Sequence, residues 1–99
     1  MEYSVVYYLR ENEISYYEID EKDRSMKRMV VLYSDKSFNI ASSVWHEQYL
    51  ETSYDAGCCT IEELNKDGAF KAKIISRAAF EKIWGKYYSM IGSSTHRIE

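Results

Sequence analysis

Proline is absent from this chain of 99 residues, and glycine occurs only four times. A phosphate-binding loop needs several glycines in close succession, so the sequence does not indicate a nucleotide site of that kind. No apolar run approaches the ~20 residues that span a bilayer, and the N-terminus lacks a basic-then-apolar signal pattern. We therefore expect a cytoplasmic protein that does not enter a membrane.

Cysteine is also scarce, since Cys58 and Cys59 are the two in the chain and they are adjacent. Adjacent cysteines do not form a disulfide framework and suit a reducing compartment. Together with His46, the two cysteines come nearest to a catalytic nucleophile and its base. With His46 and His96 they come nearest to a metal site. Neither spacing matches a known signature. We expect no catalytic residue, no metal ligand and no cofactor, and we predict a protein that is not an enzyme.

The net charge is −3, which disfavours a nucleic-acid binder of the usual basic kind. The charges are unevenly placed, because acidic side chains dominate residues 11–23 and basic side chains dominate residues 66–86. Such an arrangement can steer an encounter with a charged partner, or it can simply reflect how solvated faces are filled. The ten tyrosines have two compatible explanations. They can belong to a tyrosine-rich sheet, or they can form a binding face.

The first forty residues predict strands joined by short turns, which is typical of an antiparallel meander. The predicted strands cover residues 3–9, 14–19, 26–33 and 38–40. The first has apolar residues on both faces, so we expect it to be central. Residues 42–59 fit neither a helix nor a strand cleanly and are predicted to be an exposed, variable connection.

The second half of the chain carries clear helix starts. Thr60 and Glu63 have capping-box spacing, which predicts a helix at 61–66 that Gly68 would stop. Residues 70–75 alternate as a half-buried strand, expected to pair beside the meander. Ser76 would then cap the main helix near 77–91.

The main helix has an apolar stripe at helical spacing. Its predicted inward residues are Phe80, Ile83, Trp84, Tyr87, Tyr88 and Ile91. Gly92 is expected to end it, so we predict one domain at 1–92 and a polar tail at 93–99. The fold class is α+β, with a four- or five-stranded, largely antiparallel sheet, the main helix across one face and the short helix over an end. We expect Phe80, Ile83 and Trp84 to face Val5, Tyr7, Val30 and Leu32 or their alternates.

Three segments resemble a family of small, uncharacterised bacterial domains of unknown function. They are Tyr16-Tyr-Glu-Ile-Asp20, the run Lys27 to Asp35, and Ile61 to Ala72 continued by Ile75-Ser76 and Phe80-Glu-Lys-Ile-Trp84. The family shows "Y-S-E-I-D", "R-K-V-E-x-F-x-D-G" and "E-E-I-x-x-D-x-E-F-x-A-x-x-I-S-x-x-x-F-E-x-x-W" in the same order. Lys36 stands where the family usually has the turn glycine. The resemblance implies the fold and carries no catalytic assignment.

Proteins of this size and design are similar to the immunity proteins that neutralise bacterial toxins. We therefore predict a non-enzymatic module that binds another protein, of the immunity-inhibitor type. The candidate contact residues are acidic side chains and aromatic anchors, namely Glu18, Asp20, Glu21, Trp45, Tyr49 and Tyr54. Two alternatives stay open: a small-ligand sensor with an aromatic pocket between sheet and helix, and a structural homo-oligomer or homodimer formed through an edge strand.

Overall fold

The computed structural model describes residues 1–43 and 60–98, and for residues 92–98 it gives only the helical backbone. In this part of the chain an antiparallel sheet contains β1 (Glu2–Tyr8), β2 (Glu13–Ile19), β3 (Met26–Leu32), β4 (Phe38–Ser42) and β5 (Phe70–Ile74). The helices are α1 (Ile61–Lys66) and α2 (Arg77–Ile98). The spatial order β4-β3-β2-β1-β5 places the meander first and adds β5 beside β1. The predicted α+β class is confirmed.

The central position of β1 follows from its sequence. A strand with neighbours on both sides and layers on both faces needs apolar residues at successive positions. Val5 and Val6 point to opposite faces, and both are buried. β1 pairs with β2 on one side and with β5 on the other, as predicted.

The short helix α1 begins with the predicted capping box. The Glu63 amide donates to the Thr60 hydroxyl oxygen at 3.2 Å, and the Thr60 amide donates to the Glu63 carboxylate at 3.2 Å. The helix ends because Asp67 turns to extended backbone, while its N–H still donates to the Leu64 carbonyl. The predicted end of this helix at Lys66 is confirmed, and Gly68 follows the Asp67 cap without a positive φ.

The long helix α2 begins at the predicted cap, where the Ala79 amide donates to the Ser76 hydroxyl at 3.0 Å. It continues to Ile98, so the prediction that Gly92 ends it was wrong. A glycine inside a helix costs about 1 kcal/mol relative to alanine, which weakens a helix without terminating it. The division into a domain and a tail stays a prediction.

The strand register gives the sheet two distinct faces. The face that carries Tyr3, Val5 and Val30 packs against α2, and we call it the helix face. Phe80 of α2 is fully buried there, with its ring centroid 5.3 Å from that of Tyr3. Further along α2, Tyr87 lies over Phe38 with a centroid distance of 4.9 Å. The predicted placement of α2 on this face is correct.

The opposite face holds an apolar cluster to which α1 contributes Leu64. Its buried members are Val6, Tyr17, Ile19, Met26, Met29, Val31, Ala41, Leu64 and Ala72. A shift of the β2–β3 register between Glu18 and Ile19 leaves Lys27 as an extra residue. Because of this bulge, Met26 points into the opposite face while Arg28 points to the helix face.

Candidate functional site

A single arginine joins the sheet to the long helix. The Arg28 guanidinium donates to both carboxylate oxygens of Glu18, with Nε–Oε1 and Nη2–Oε2 distances of 2.8 Å. It also donates to Glu81 of α2, with an Nη1–Oε1 distance of 3.0 Å and an Nη2–Oε2 distance of 2.7 Å. Two bidentate pairs fix the orientation of the planar guanidinium far better than one point contact would.

Aromatic rings complete the surroundings of Arg28. Its Cζ lies 4.9 Å from the centroid of the Phe80 ring and 5.0 Å from that of Trp84. The two rings are nearly parallel, with an interplanar angle of 17°. The Tyr3 hydroxyl, next to Glu18 in the sheet, also lowers the pKa of the Glu18 carboxyl. Arg28 therefore holds Trp84 in place through a cation–π contact as well as through packing.

The charges of this network are stable near neutral pH. Hydrogen bonds from Arg28 hold the pKa of Glu18 below its usual value, and burial opposes that effect. The same donor lowers the pKa of Glu81. Hydrogen bonding to Glu18 in turn raises the pKa of Arg28. All three groups stay ionised, which suits a structural clamp rather than proton transfer.

A groove opens beside this network, between α2 and the neighbouring ends of β3 and β4. Its volume is about 420 Å³, and it is lined by Glu18, Lys27, Arg28, Ser42, Ser43, Trp84 and Tyr88. We call it the α2 groove. Tyr88 stacks on Trp84 with a centroid distance of 5.9 Å, and it is 53% exposed. The α2 groove thus has a half-buried aromatic ring at its wall and an exposed one at its rim.

The prediction that Tyr88 faces inward was wrong. Residues four apart on a helix are offset by about 40°, so a stripe that continues from Phe80 through Trp84 to Tyr88 drifts sideways around the helix. Phe80 is fully buried, Trp84 is half-buried, and Tyr88 is exposed. The apolar stripe is therefore buried at one end and reaches the surface at the other.

The predicted acidic contact residues have different surroundings. Glu18 is only 8% exposed and is paired with Arg28. The half-buried Asp20 accepts a hydrogen bond from the Lys22 amide at 2.8 Å. Glu21 is exposed, and its carboxylate lies 3.8 Å from the N-terminal amine. Glu21 presents its charge to solvent far more than Glu18 does.

The acidic stretch of the sequence is divided by the fold. Glu11 precedes β2, whereas Asp20, Glu21 and Asp23 follow it. A strand of seven residues separates two such groups by roughly 20 Å. The acidic loop at 20–23 lies at the same end of the sheet as the α2 groove, because both adjoin the junction of β2 and β3.

Other predicted candidates fall on residues that the structure does not describe. The aromatic anchors Trp45, Tyr49 and Tyr54 lie outside the described residues, as do Cys58 and Cys59. Within residues 1–43 and 60–91, no group of three or more metal-ligating side chains is found. Among the helices that are described, none has the length and apolar character needed to cross a membrane.

A family model for a domain of unknown function, DUF6881, matches residues 9–89. The chain belongs to the DUF6881 family. This confirms the resemblance to a family of uncharacterised domains that the three sequence segments indicated. No curated protein and no solved structure matches the chain. The match includes the Arg28 network, Trp84 and Tyr88, so the α2 groove lies inside the DUF6881 domain.

Proposed function

We propose that this DUF6881 domain is a non-enzymatic module that binds another protein through the α2 groove. The observation that carries the proposal is Tyr88, which is 53% exposed and stacks on Trp84 at the rim of the groove. Exposed tyrosine and tryptophan rings supply much of the binding energy at protein interfaces. A polar rim is also present, because Lys27 and Ser43 line the same groove.

The Arg28 network supports this role because it limits motion of the aromatic wall. Trp84 lies against a guanidinium that two carboxylates hold in a fixed orientation. A binding surface that is already ordered loses less conformational entropy when a partner arrives. Arg77, whose Nε lies 3.7 Å from Glu81, balances the second carboxylate, so these two arginines and two glutamates need no counter-charge from the partner.

The finer proposal is an immunity-type inhibitor of a bacterial toxin. An acidic inhibitor can occupy the basic active site of a nuclease, where carboxylates take the place of phosphates. The acidic loop at 20–23 supports this version because it lies at the groove end of the sheet and exposes Glu21 and Asp23. Glu18 contributes little to it, since its charge is paired with Arg28.

The test is an affinity capture from the lysate of the native host, followed by mass spectrometry and by binding measurements on variants. We expect one stoichiometric protein that Tyr88→Ala loses and that Met90→Ala retains. Met90 is the matched control because it is 45% exposed on the same helix and does not line the groove. Equal retention by both variants would rule out the α2 groove as the contact surface.

A second test separates the inhibitor from a general binding module. If the partner is a basic toxin, Glu21→Lys should slow association and weaken its dependence on salt. Lys22→Glu adds a charge of opposite sign in the same loop and should accelerate association. Unchanged association rates in both variants would exclude the electrostatic version while leaving the groove contact standing.

A small-ligand site is the second candidate, because the volume of the α2 groove lies within the range of small-molecule sites. Stacked rings beside Lys27 suit a planar, anionic molecule. Tryptophan fluorescence of a Trp45→Phe variant reports on Trp84 alone and can be screened against a metabolite set. A saturable change that Tyr88→Ala abolishes would favour a ligand, and no response across the set would favour a protein.

A further inference from the structure

At the outer edge of β5, alternate residues turn their backbone groups away from β1. In the antiparallel pairing with β1, Ala72 lies opposite Val6, and its neighbours Lys71 and Lys73 lie opposite Tyr7 and Val5. The bonds between Leu9 and Ala69 and between Ile75 and Tyr3 show which pairs exchange hydrogen bonds. Because such pairs alternate along the ladder, the N–H and C=O of Ala72 point away from β1.

A side chain of α1 already occupies that position. The Asn65 amide nitrogen donates to the Ala72 carbonyl at 2.8 Å, and the Ala72 N–H donates to the Asn65 amide oxygen at 2.7 Å. A primary amide carries one donor and one acceptor side by side, as a strand backbone does. Asn65 therefore makes both of the hydrogen bonds that a sixth strand would make at the centre of β5.

The next outward donor of the edge is also satisfied. The Phe70 N–H donates to the Asp67 carbonyl at 3.1 Å. The Asp67 carboxylate accepts from the Ala69 amide at 3.0 Å, which orders the connection between α1 and β5. The segment that leads into β5 thus folds back to protect the edge at two successive outward positions.

We infer that Asn65 closes the β5 edge against strand addition, and that the strand it excludes is β5 of a second copy of this chain. An antiparallel pair centred on Ala72 would place Phe70 of one copy opposite Ile74 of the other. Ile74 is 57% exposed, so this contact would bury apolar surface that water now covers. An edge strand whose outward backbone groups are unpaired is prone to pair with a second strand.

Charge on the other face of β5 adds a second barrier. In the same symmetric pair, Lys71 of each copy would lie directly opposite Lys73 of the other copy. Neither lysine forms an ion pair with any residue that the structure describes. Like charges directly opposite each other destabilise a strand pair, so the lysines oppose the homodimer while Asn65 blocks its hydrogen bonds.

The test is the oligomeric state of the Asn65→Ala variant, measured by sedimentation over a range of protein concentrations. We expect a monomeric wild type and a concentration-dependent dimer of the variant, more stable at high salt because the lysine repulsion is screened. The serine of Asn65→Ser is also too short to bond both the N–H and the C=O of Ala72, so this variant should dimerise as Asn65→Ala does. Thr60→Ala is the control, because it weakens α1 by removing its cap and leaves Asn65 in place.

Charge exchange makes the test specific to this register. Adding Lys71→Glu to Asn65→Ala creates two Lys–Glu pairs and should tighten the dimer about tenfold. Adding both Lys71→Glu and Lys73→Glu restores like charges and should weaken it again. That triple variant mixed with Asn65→Ala should form a heterodimer.

Amide exchange at Ala72 provides the structural readout. In the wild type this amide should be protected at every concentration, whereas in Asn65→Ala it should exchange quickly when dilute and regain protection on dimerisation. A folded Asn65→Ala variant that stays monomeric would overturn the inference. So would a Thr60→Ala variant that dimerises equally, or a wild type that already dimerises through Ala72.

Discussion

The two faces of the sheet bury side chains by different means. The opposite face is a continuous apolar cluster around residues such as Val6, Met29 and Val31. The helix face combines the fully buried Phe80 with an ion network around Arg28. On the opposite face the described residues contribute chiefly to stability. On the helix face, the groups that stabilise the fold also set the position of the Trp84 ring.

The two faces should therefore respond differently to substitution. An apolar cluster tolerates repacking when the total volume is kept. A network of charges does not, because removing one member leaves a buried charge without its partner. We therefore expect changes on the opposite face to alter stability alone. Changes on the helix face should alter both stability and the α2 groove.

The largest expected effect is that of Phe80→Ala. Deleting a fully buried phenylalanine removes its contacts with Tyr3 and Arg28 and should lower the free energy of unfolding by about 4 kcal/mol. Met29→Ala on the opposite face should cost about 3 kcal/mol. Urea unfolding measures both. A loss under 1 kcal/mol for Phe80→Ala would contradict the packing of α2 against the sheet.

Trp84→Ala sharpens the same measurement. Truncating a fully buried tryptophan to alanine costs roughly 3–5 kcal/mol. Trp84 is only half-buried, so we now expect a smaller loss than for Phe80→Ala, together with the loss of partner binding. Met29→Ala should leave binding intact in molecules that remain folded.

The second prediction breaks the network itself. Arg28→Met leaves Glu18 buried without its partner and should cost about 3 kcal/mol. Adding Glu18→Gln removes that stranded charge and should recover part of the loss. The double variant measured against the two single variants gives the coupling between Arg28 and Glu18. Additive losses would show that the two residues do not act as a pair.

The architecture could be predicted from the sequence because its signals are local. The alternation of apolar and polar residues predicted the strands, and the Thr60 capping box predicted α1 at its observed bounds. The end of α2 was harder to predict, because Gly92 suggested a stop that the backbone does not use. A glycine permits a helix end without requiring one, so its position alone does not decide where a helix terminates.

The Arg28 network was missed although part of its signal was present. In the hairpin formed by β2 and β3, Glu18 lies directly opposite Arg28. A charged residue inside an apolar strand is stabilised by a residue of opposite charge on the neighbouring strand. The bulge at Lys27 hid the alignment, since one extra residue reverses which face each side chain occupies. Glu81 lies far along the chain, and only the packing of α2 brings it to Arg28.

The third prediction concerns acid. Because the pKa of Glu18 is lowered in the folded protein by hydrogen bonds from Arg28, this group stabilises the fold above its unfolded pKa of about 4.3. That contribution is lost as the pH falls through the lower, folded pKa. We expect Glu18→Gln to cost about 1–2 kcal/mol at pH 7 and progressively less below pH ~4. Unfolding free energies measured from pH 7 to pH 3 check this, and a constant difference would contradict it.

The smallest expected effect lies on neither face, at the turn between β3 and β4. Lys36 has a φ of 73°, in the left-handed region that glycine adopts without strain. The resemblance described from the sequence implies a turn glycine at this position. We expect Lys36→Gly to raise the free energy of unfolding by about 0.5–1 kcal/mol, because the relief of strain exceeds the added freedom of the unfolded chain.

Arg24→Gly is the matched control for that gain. Arg24 also has a positive φ of 59°, but its guanidinium is paired with Glu2 at 3.0 Å. Its backbone gain should be offset by loss of that contact, so it should stabilise less than Lys36→Gly does. A destabilised Lys36→Gly protein would mean that its side chain makes a contribution larger than the backbone strain. A stabilised one with unchanged partner binding would show that the stability of the sheet can be raised without touching the α2 groove.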